Sequence, residues 1–333
     1  MTARNHHFVP QCYLKGFARH RNKPKVFVVD RQSRDTFYAN PSNIAVERDF
    51  HTIDVEGVAP DALEASFSQF ETRLAPALVQ IINDRIITKE DDKAHLINLV
   101  AMLSVKNPMR RQWLMDFDND IFDRVLDHVL QNDNSFDHEV RKAKEVGFIT
   151  ENTEPNRNQI REFLDRQEYS IDVDRGRYIK IELKLFENVL QHCSHRAWTL
   201  IRAPKDSSGF ITSDNPVCLR WSNPEMSKGP YSPGHGLKGT EVLFPISSEL
   251  AWIGTFEHPV RTVDISEDTV RDINGTILTS SYRQIYGRDG DCGYRLQPGD
   301  KPRRICELPK DTRFPVRKDQ KTRVRIARES LRR

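Results

Sequence analysis

The chain has 333 residues, 37% apolar and 30% charged, with a formal net charge of +3. That length can bury a sizeable core in one large domain or two intimate ones, and no apolar run approaches the roughly 20 residues that span a bilayer. Charge and histidine stand where a secretory signal would carry its apolar stretch, and the five cysteines (Cys12, Cys193, Cys218, Cys292 and Cys306) include no C-x-x-C pair. Neither a disulfide framework nor a zinc ribbon is expected, and a soluble, cytoplasmic protein with no membrane partner is.

The chain begins with "NHHFVPQCYLKGF", residues 5–17, in which two adjacent histidines precede a short apolar run broken by Pro10. "KPKVFVVDR" is β-branched and reads as a strand, followed by a turn and an extended piece near "DTFYA". Leu63, Phe67, Phe70, Leu74, Leu78, Ile81 and Ile82 recur at steps of three and four, an amphipathic helix that Pro76 is expected to kink or split. "TKED" reads as the cap of a second helix, with Thr88 and Asp91 as a capping pair. A third helix is expected over about 111–130, with Trp113, Phe117, Phe122, Leu126 and Val129 inward. Polar, broken sequence follows, with helices over "NQIREFLDRQ" and about 178–195. The texture then changes to short β-type runs separated by Gly, Pro, Ser and Asn, which suggests an antiparallel sheet. A last helix is expected over "EDTVRDINGTILTSSYRQIYG", ending near Gly287 with Ile285 inward.

Strands at both ends and helices between them give an α+β fold, a helical middle packed on a mostly antiparallel sheet of N-terminal and C-terminal strands. The expected organisation is one domain over 1–299, helical over about 60–195 and sheet over about 196–290. A basic tail at 300–333 completes it. From Lys301 to Arg333 there are thirteen Lys/Arg against four Asp/Glu, on a mildly acidic body. Such a tail is either a contact for nucleic acid or a solvated terminus.

Three places carry candidate chemistry. On a strand, His6 and His7 would face opposite sides and one metal would not take both; in a bend they would converge. "GFITSDNPV" ends an extended run in a stiff Asx-type bend, which fixes Thr212, Ser213, Asp214 and Asn215 either for a ligand or for the turn itself. Glu64 and Glu71 share a helix face, and Glu71 beside the histidines would complete a metal or acid–base site. Arg110 and Arg111 at a helix break are suited to holding a phosphate or to surface pairing. P-loop, dinucleotide-binding, nucleophile-elbow and H-E-x-x-H motifs are absent. Cys12 and Cys193 each have histidines nearby, a weak signal for a thiol nucleophile.

The "HHFVPQCYLKGF" start, the "VFVVDR" strand, "RDFHT" before the "LE…E" helix and "FITSDNPV" together resemble a bacterial family catalogued as domain of unknown function 4238. The resemblance runs from residue 6 to about 285. It carries over His6, His7, Pro10, Tyr13, Leu14 and Phe17 from the first string and Thr212 to Pro216 from the second. His51 departs from the family pattern, where tyrosine is more usual, and Cys12 replaces what is often an aromatic; the resemblance therefore implies that neither is essential. It implies a site and no particular reaction. The resulting expectation is a metal-dependent phosphodiesterase or nuclease. His6, His7 and Asp214 would be catalytic, and His6, His7, Asp214 and Glu71 would hold a divalent metal. Thr212, Ser213, Asn215, Arg110 and Arg111 would bind substrate. The alternatives are a non-enzymatic protein that binds a ligand or partner at the same cluster, and a structural role in which histidine–aspartate bonds stitch the N-terminus to the sheet.

Overall fold

The computed structural model describes residues 5–20, 22–53, 59–166, 171–173, 175–297, 299–314 and 324–326. The chain opens with β1 (Asn5–His7), α1 (Gln11–Leu14), β2 (Val26–Asp30), β3 (Thr36–Ala39) and β4 (Val46–Arg48). Helices α2 (Ala62–Asp84), α3 (Glu90–Val105), α4 (Pro108–Gln131), α5 (Asp133–Glu145) and α6 (Arg157–Asp165) follow. Then come β5 (Ile171–Val173), α7 (Arg175–Ser194), β6 (Ala197–Arg202), β7 (Thr212–Ser213), β8 (Cys218–Trp221), β9 (Thr240–Pro245), β10 (Leu250–Thr255) and β11 (Arg261–Asp264). The order closes with α8 (Glu267–Ser280), β12 (Gln284–Gly287), β13 (Gly293–Tyr294), β14 (Arg303–Arg304) and β15 (Val324–Ile326). This is the α+β class expected from the sequence. No helix among the described residues is long and apolar enough to cross a membrane.

The chain divides into two compact units, each built from separate stretches. The first comprises Met1–Met109 and Ile179–Arg317, the second Arg110–Tyr178 and Lys318–Arg333. The backbone leaves the first unit inside α4 and re-enters it inside α7.

The first unit is organised by two sheets. One has the order β3-β2-β12-β7 and is antiparallel throughout. All five residues of β2 are buried, which fits its central place between β3 and β12. The other has the order β11-β6-β10-β9-β8, antiparallel except where β11 runs parallel to β6. Trp198 and Trp252 stack with ring centroids 4.1 Å apart in the core beneath it. Each large aromatic so buried stabilises the fold by about 2–3 kcal/mol. A two-stranded piece, β1 with β4, sets His6 opposite Glu47 and His7 opposite Val46.

Several sequence expectations change here. α2 runs unbroken through Pro76, because Leu74, Ala77, Leu78 and Ile81 bury one face on both sides of the proline. Thr88 does not cap α3; the N-cap is Lys89, and Glu90, Asp91 and Asp92 complement the helix dipole instead. α8 stops at Ser280. Ile285 belongs to β12, where the Gln-Ile-Tyr-Gly run pairs with β2 and β7. The expected tail is part of the first unit as far as its description extends: Ile305 and Leu308 are buried, and Asp311 accepts from Tyr294 Oη at 2.9 Å and pairs with Arg303 and Arg313. The rest of the tail, apart from 324–326, lies outside the described residues.

The second unit is mainly helical, with a short parallel pair of β5 and β15. Asp118 accepts from Arg177 Nη2 at 2.9 Å and from Tyr178 Oη at 3.0 Å. Trp113, expected inward, is 61% exposed; Phe117 is exposed with it, its ring stacked 5.7 Å away. Phe122, Leu126 and Val129 are half-buried.

Candidate functional site

The site lies in the first unit, where β1, the segment after β4 and the start of α2 meet. β1 is a strand, so its side chains alternate: His6 is buried at 3% exposure, whereas His7 is half-buried. After β4, Asp49 takes a left-handed backbone conformation, φ 57°, and Phe50 plunges into the core against Phe8. His51 is thereby drawn in to 1% exposure, its ring 5.0 Å from that of Phe50 and 4.7 Å from that of Phe67. Glu64 is in the first turn of α2, where the positive end of the helix favours a carboxylate, and its side chain is a third exposed.

These three side chains converge. His51 Nδ1 lies 2.7 Å from Glu64 Oε2, and the His51 backbone N–H donates to His6 Nδ1 at 2.9 Å. The two imidazole rings are within 5° of parallel, with centroids 5.4 Å apart. One donor atom from each of His6, His51 and Glu64 lies within 4.8 Å of the others. Among the described residues this is the only group of three or more His, Cys, Asp or Glu side chains close enough to share one ion.

The surroundings are polar and charged. Lys106, buried at the end of α3, donates from Nζ to the His7 carbonyl at 3.3 Å and sits 4.0 Å from the centre of the Phe67 ring. Gln11 Nε2 donates to His7 Nε2 at 2.8 Å. Burial pushes the His7 imidazole down to about 4, aided by the charge of Lys106 and opposed by the Ile44 carbonyl, so it is neutral at pH 7. Burial raises the Glu71 carboxyl above the usual range; Lys106 opposes that rise and Glu64 adds to it.

The family model for proteins of unknown function DUF4238 matches residues 5–291. The chain belongs to that family. No curated protein and no solved structure matches it.

Within this DUF4238 chain the second string forms a different kind of centre. Asp214 is buried, and its carboxylate accepts the backbone N–H groups of Tyr282 at 2.9 Å, Arg283 at 2.6 Å and Gln284 at 2.8 Å. It therefore holds the turn that leads from α8 into β12. Thr212 Oγ1 and Tyr13 Oη are 2.6 Å apart, and Tyr13 Oη also donates to the Pro245 carbonyl at 2.7 Å. Ser213 Oγ accepts from the Asn215 N–H at 3.1 Å, and Asn215 Nδ2 donates to the Ser280 carbonyl at 2.8 Å. The two family strings do touch, through Tyr13 and Thr212.

The expected set of His6, His7, Asp214 and Glu71 is not gathered at one point. Only His6 of the four belongs to the gathered group, and His51 and Glu64 complete it. His7 is on the other face of β1, Asp214 spends both oxygens on backbone, and Glu71 is two helical turns beyond Glu64. Arg110 and Arg111 belong to the second unit, and Arg111 is buried. Burial holds the Cys12 and Cys193 thiols up at about 12, with Glu71 adding to the effect at Cys12, so neither is a thiolate nucleophile at neutral pH. Sequence reasoning misses His51, because the resemblance puts tyrosine more usually at that position. The signal that could have found it is an imidazole beside Phe50, upstream of a glutamate in the first turn of a helix.

Proposed function

We propose that this protein is a metal-dependent hydrolase in which His6, His51 and Glu64 hold a divalent cation. The observation that supports this reading is the convergence of two buried imidazoles and one part-exposed carboxylate within 4.8 Å. Two histidines and a glutamate are a donor set suited to zinc and similar ions, and they leave a coordination position for water or substrate. At metal–ligand distances near 2.0–2.1 Å, tetrahedral donors stand about 3.3 Å apart, so the cluster needs only small side-chain shifts to close on an ion. A cation there would polarise the substrate and ease ionisation of a water. The chain's own part is to orient His6 and His51, to supply the carboxylate charge, and to leave the Glu64 side of the cluster open to solvent.

A second reading has an observation of its own. The 2.7 Å contact between His51 Nδ1 and Glu64 Oε2 also describes a carboxylate-oriented imidazole acting as a general base without a metal. Elemental analysis separates the two. The metal reading expects about one divalent ion per chain, lost in Glu64→Gln with the fold intact. The absence of any ion, with an unchanged melting temperature on chelation, would overturn it in favour of the base.

Nucleic acid is the partner proposed for residues 315–333, on the strength of eight Lys/Arg against two Asp/Glu; binding that weakens steeply with salt is the expected outcome. A cytoplasmic location accords with five unpaired cysteines.

A further inference from the structure

α4 carries four apolar side chains in a single row, Trp113, Phe117, Ile121 and Val125, at steps of four residues. Neighbours at that spacing share one helix face, and the row runs about 18 Å along it. Each of the four is between 45% and 61% exposed, and the Trp113 and Phe117 rings stack within 11° of parallel. All four belong to the second unit. A continuous exposed apolar row is unusual on a monomer and marks a contact surface.

The order of side chains along the row says what fits it. The two large aromatics stand in its N-terminal half, and the smaller Ile121 and Val125 in its C-terminal half. Laid antiparallel against a copy of itself, Phe117 meets the partner's Ile121 and Trp113 meets the partner's Val125. Large then faces small along the whole length, which close packing requires. A row at steps of four is inclined to the helix axis. Two such rows align when their helices cross at about 50°, the commonest class of helix pairing. The charges beside the row select the same arrangement. Asp116, Asp120 and Arg124 also stand four apart and lie along one edge of the apolar row. Asp116 accepts from Gln112 Nε2 at 2.9 Å; Arg124 is exposed and makes no ion pair among the described residues. Antiparallel pairing sets Asp116 beside the partner's Arg124, twice over by symmetry, with Asp120 facing the partner's Asp120 as the one unfavourable contact. A parallel pair would instead set large on large and like charge on like. The carboxylates on this edge also count against an anionic lipid surface as the cover for the row.

We propose that the Trp113/Phe117/Ile121/Val125 face of α4 is an interface between two copies of this chain, paired antiparallel about a two-fold axis close to Asn119 and Asp120. Two aromatics that are already stacked lose little freedom when the copies meet. The pairing covers on the order of 1,000 Å² in total, the low end for a specific interface, so a dissociation constant of roughly micromolar order is expected. The assignment is independent of the cation proposed above.

Sedimentation velocity of the full chain across the micromolar range tests it. Wild type is expected to pass from monomer to dimer as concentration rises. Phe117→Asp, at an exposed position where the fold tolerates charge, is expected to weaken the dimer by at least about tenfold. Asp116→Arg and Arg124→Asp are each expected to weaken it severalfold, and the double variant to restore it, a recovery that parallel pairing does not give. Asp120→Asn is expected to tighten it. A wild type that stays monomeric throughout, or a dimer indifferent to Phe117→Asp, would overturn the assignment. Single charge reversals that weaken the dimer without recovery in the double variant would overturn the antiparallel register. A monomer whose emission shifts on adding phosphatidylcholine vesicles, with no such shift in Trp113→Phe, would overturn the dimer and give the row to a lipid surface.

Discussion

The two polar centres of this chain both gather hydrogen-bonding side chains, and they do opposite things. At the Thr212–Asn215 bend, every side chain is turned inward to satisfy backbone or a neighbouring hydroxyl: Asp214 takes three N–H groups, Asn215 a carbonyl, Ser213 an amide and Thr212 the Tyr13 hydroxyl. At the front end, His6, His51 and Glu64 meet one another as side chains, and one of the three is a third exposed. A polar cluster saturated by backbone fixes a fold. A cluster of side chains that face one another beside solvent has donors to offer to a ligand.

The sharpest way to break that contrast is to remove a donor. His51→Ala is expected to lower divalent-cation affinity by at least about 100-fold, roughly 3 kcal/mol, read by calorimetry on protein whose circular dichroism is unchanged. Asp214→Asn should do the reverse, leaving cation affinity alone and lowering the melting temperature by several degrees, since a neutral amide serves three N–H donors poorly. The size of that stability loss depends on pH. Burial pushes the Asp214 carboxyl up to about 6, against the three backbone N–H groups and Arg31, which favour its charge. A carboxyl whose folded pKa lies above its unfolded value near 3.9 adds stability below that value and loses it as the pH rises through about 6. The gap between wild type and Asp214→Asn is therefore expected to be widest near pH 4 and to shrink by about 3 kcal/mol by pH 7, as chemical denaturation at both pH values would show. Tyr13→Phe strips a hydroxyl from Thr212 and from the Pro245 carbonyl and is expected to cost about 1–2 kcal/mol in urea unfolding, with cation binding intact. The smallest effect is expected from Glu71→Gln, a change in cation affinity of about 1 kcal/mol or less, because Glu71 acts on the site only through its charge.

Most of the architecture could be read from the chain because it rests on periodicity. The β-branched run at Val26–Asp30, the three-and-four spacing of α2 and the short β-type runs after residue 196 all became the elements they suggested. The misreadings have local causes. Ile285 extends the helical spacing of α8 but pairs as a strand, because Asp214 captures the backbone just after the helix ends. Trp113 and Phe117 fit an inward helix stripe, yet both are exposed. Periodicity finds an apolar face and does not say what covers it. The site was half legible. His6 and the first α2 glutamates stood out, but what joins His6 to His51 is the pairing of β1 with β4 and the burial of Phe50, a contact across 45 positions that no local pattern encodes.

The central claim is that His6, His51 and Glu64 form one cation site, and metal content tests it most directly. Wild type and Glu64→Gln, loaded with zinc or manganese and desalted, are compared by elemental analysis. The account predicts about one ion per chain in wild type and a large loss in a folded Glu64→Gln. Equal metal in both proteins, or none in either, would contradict it.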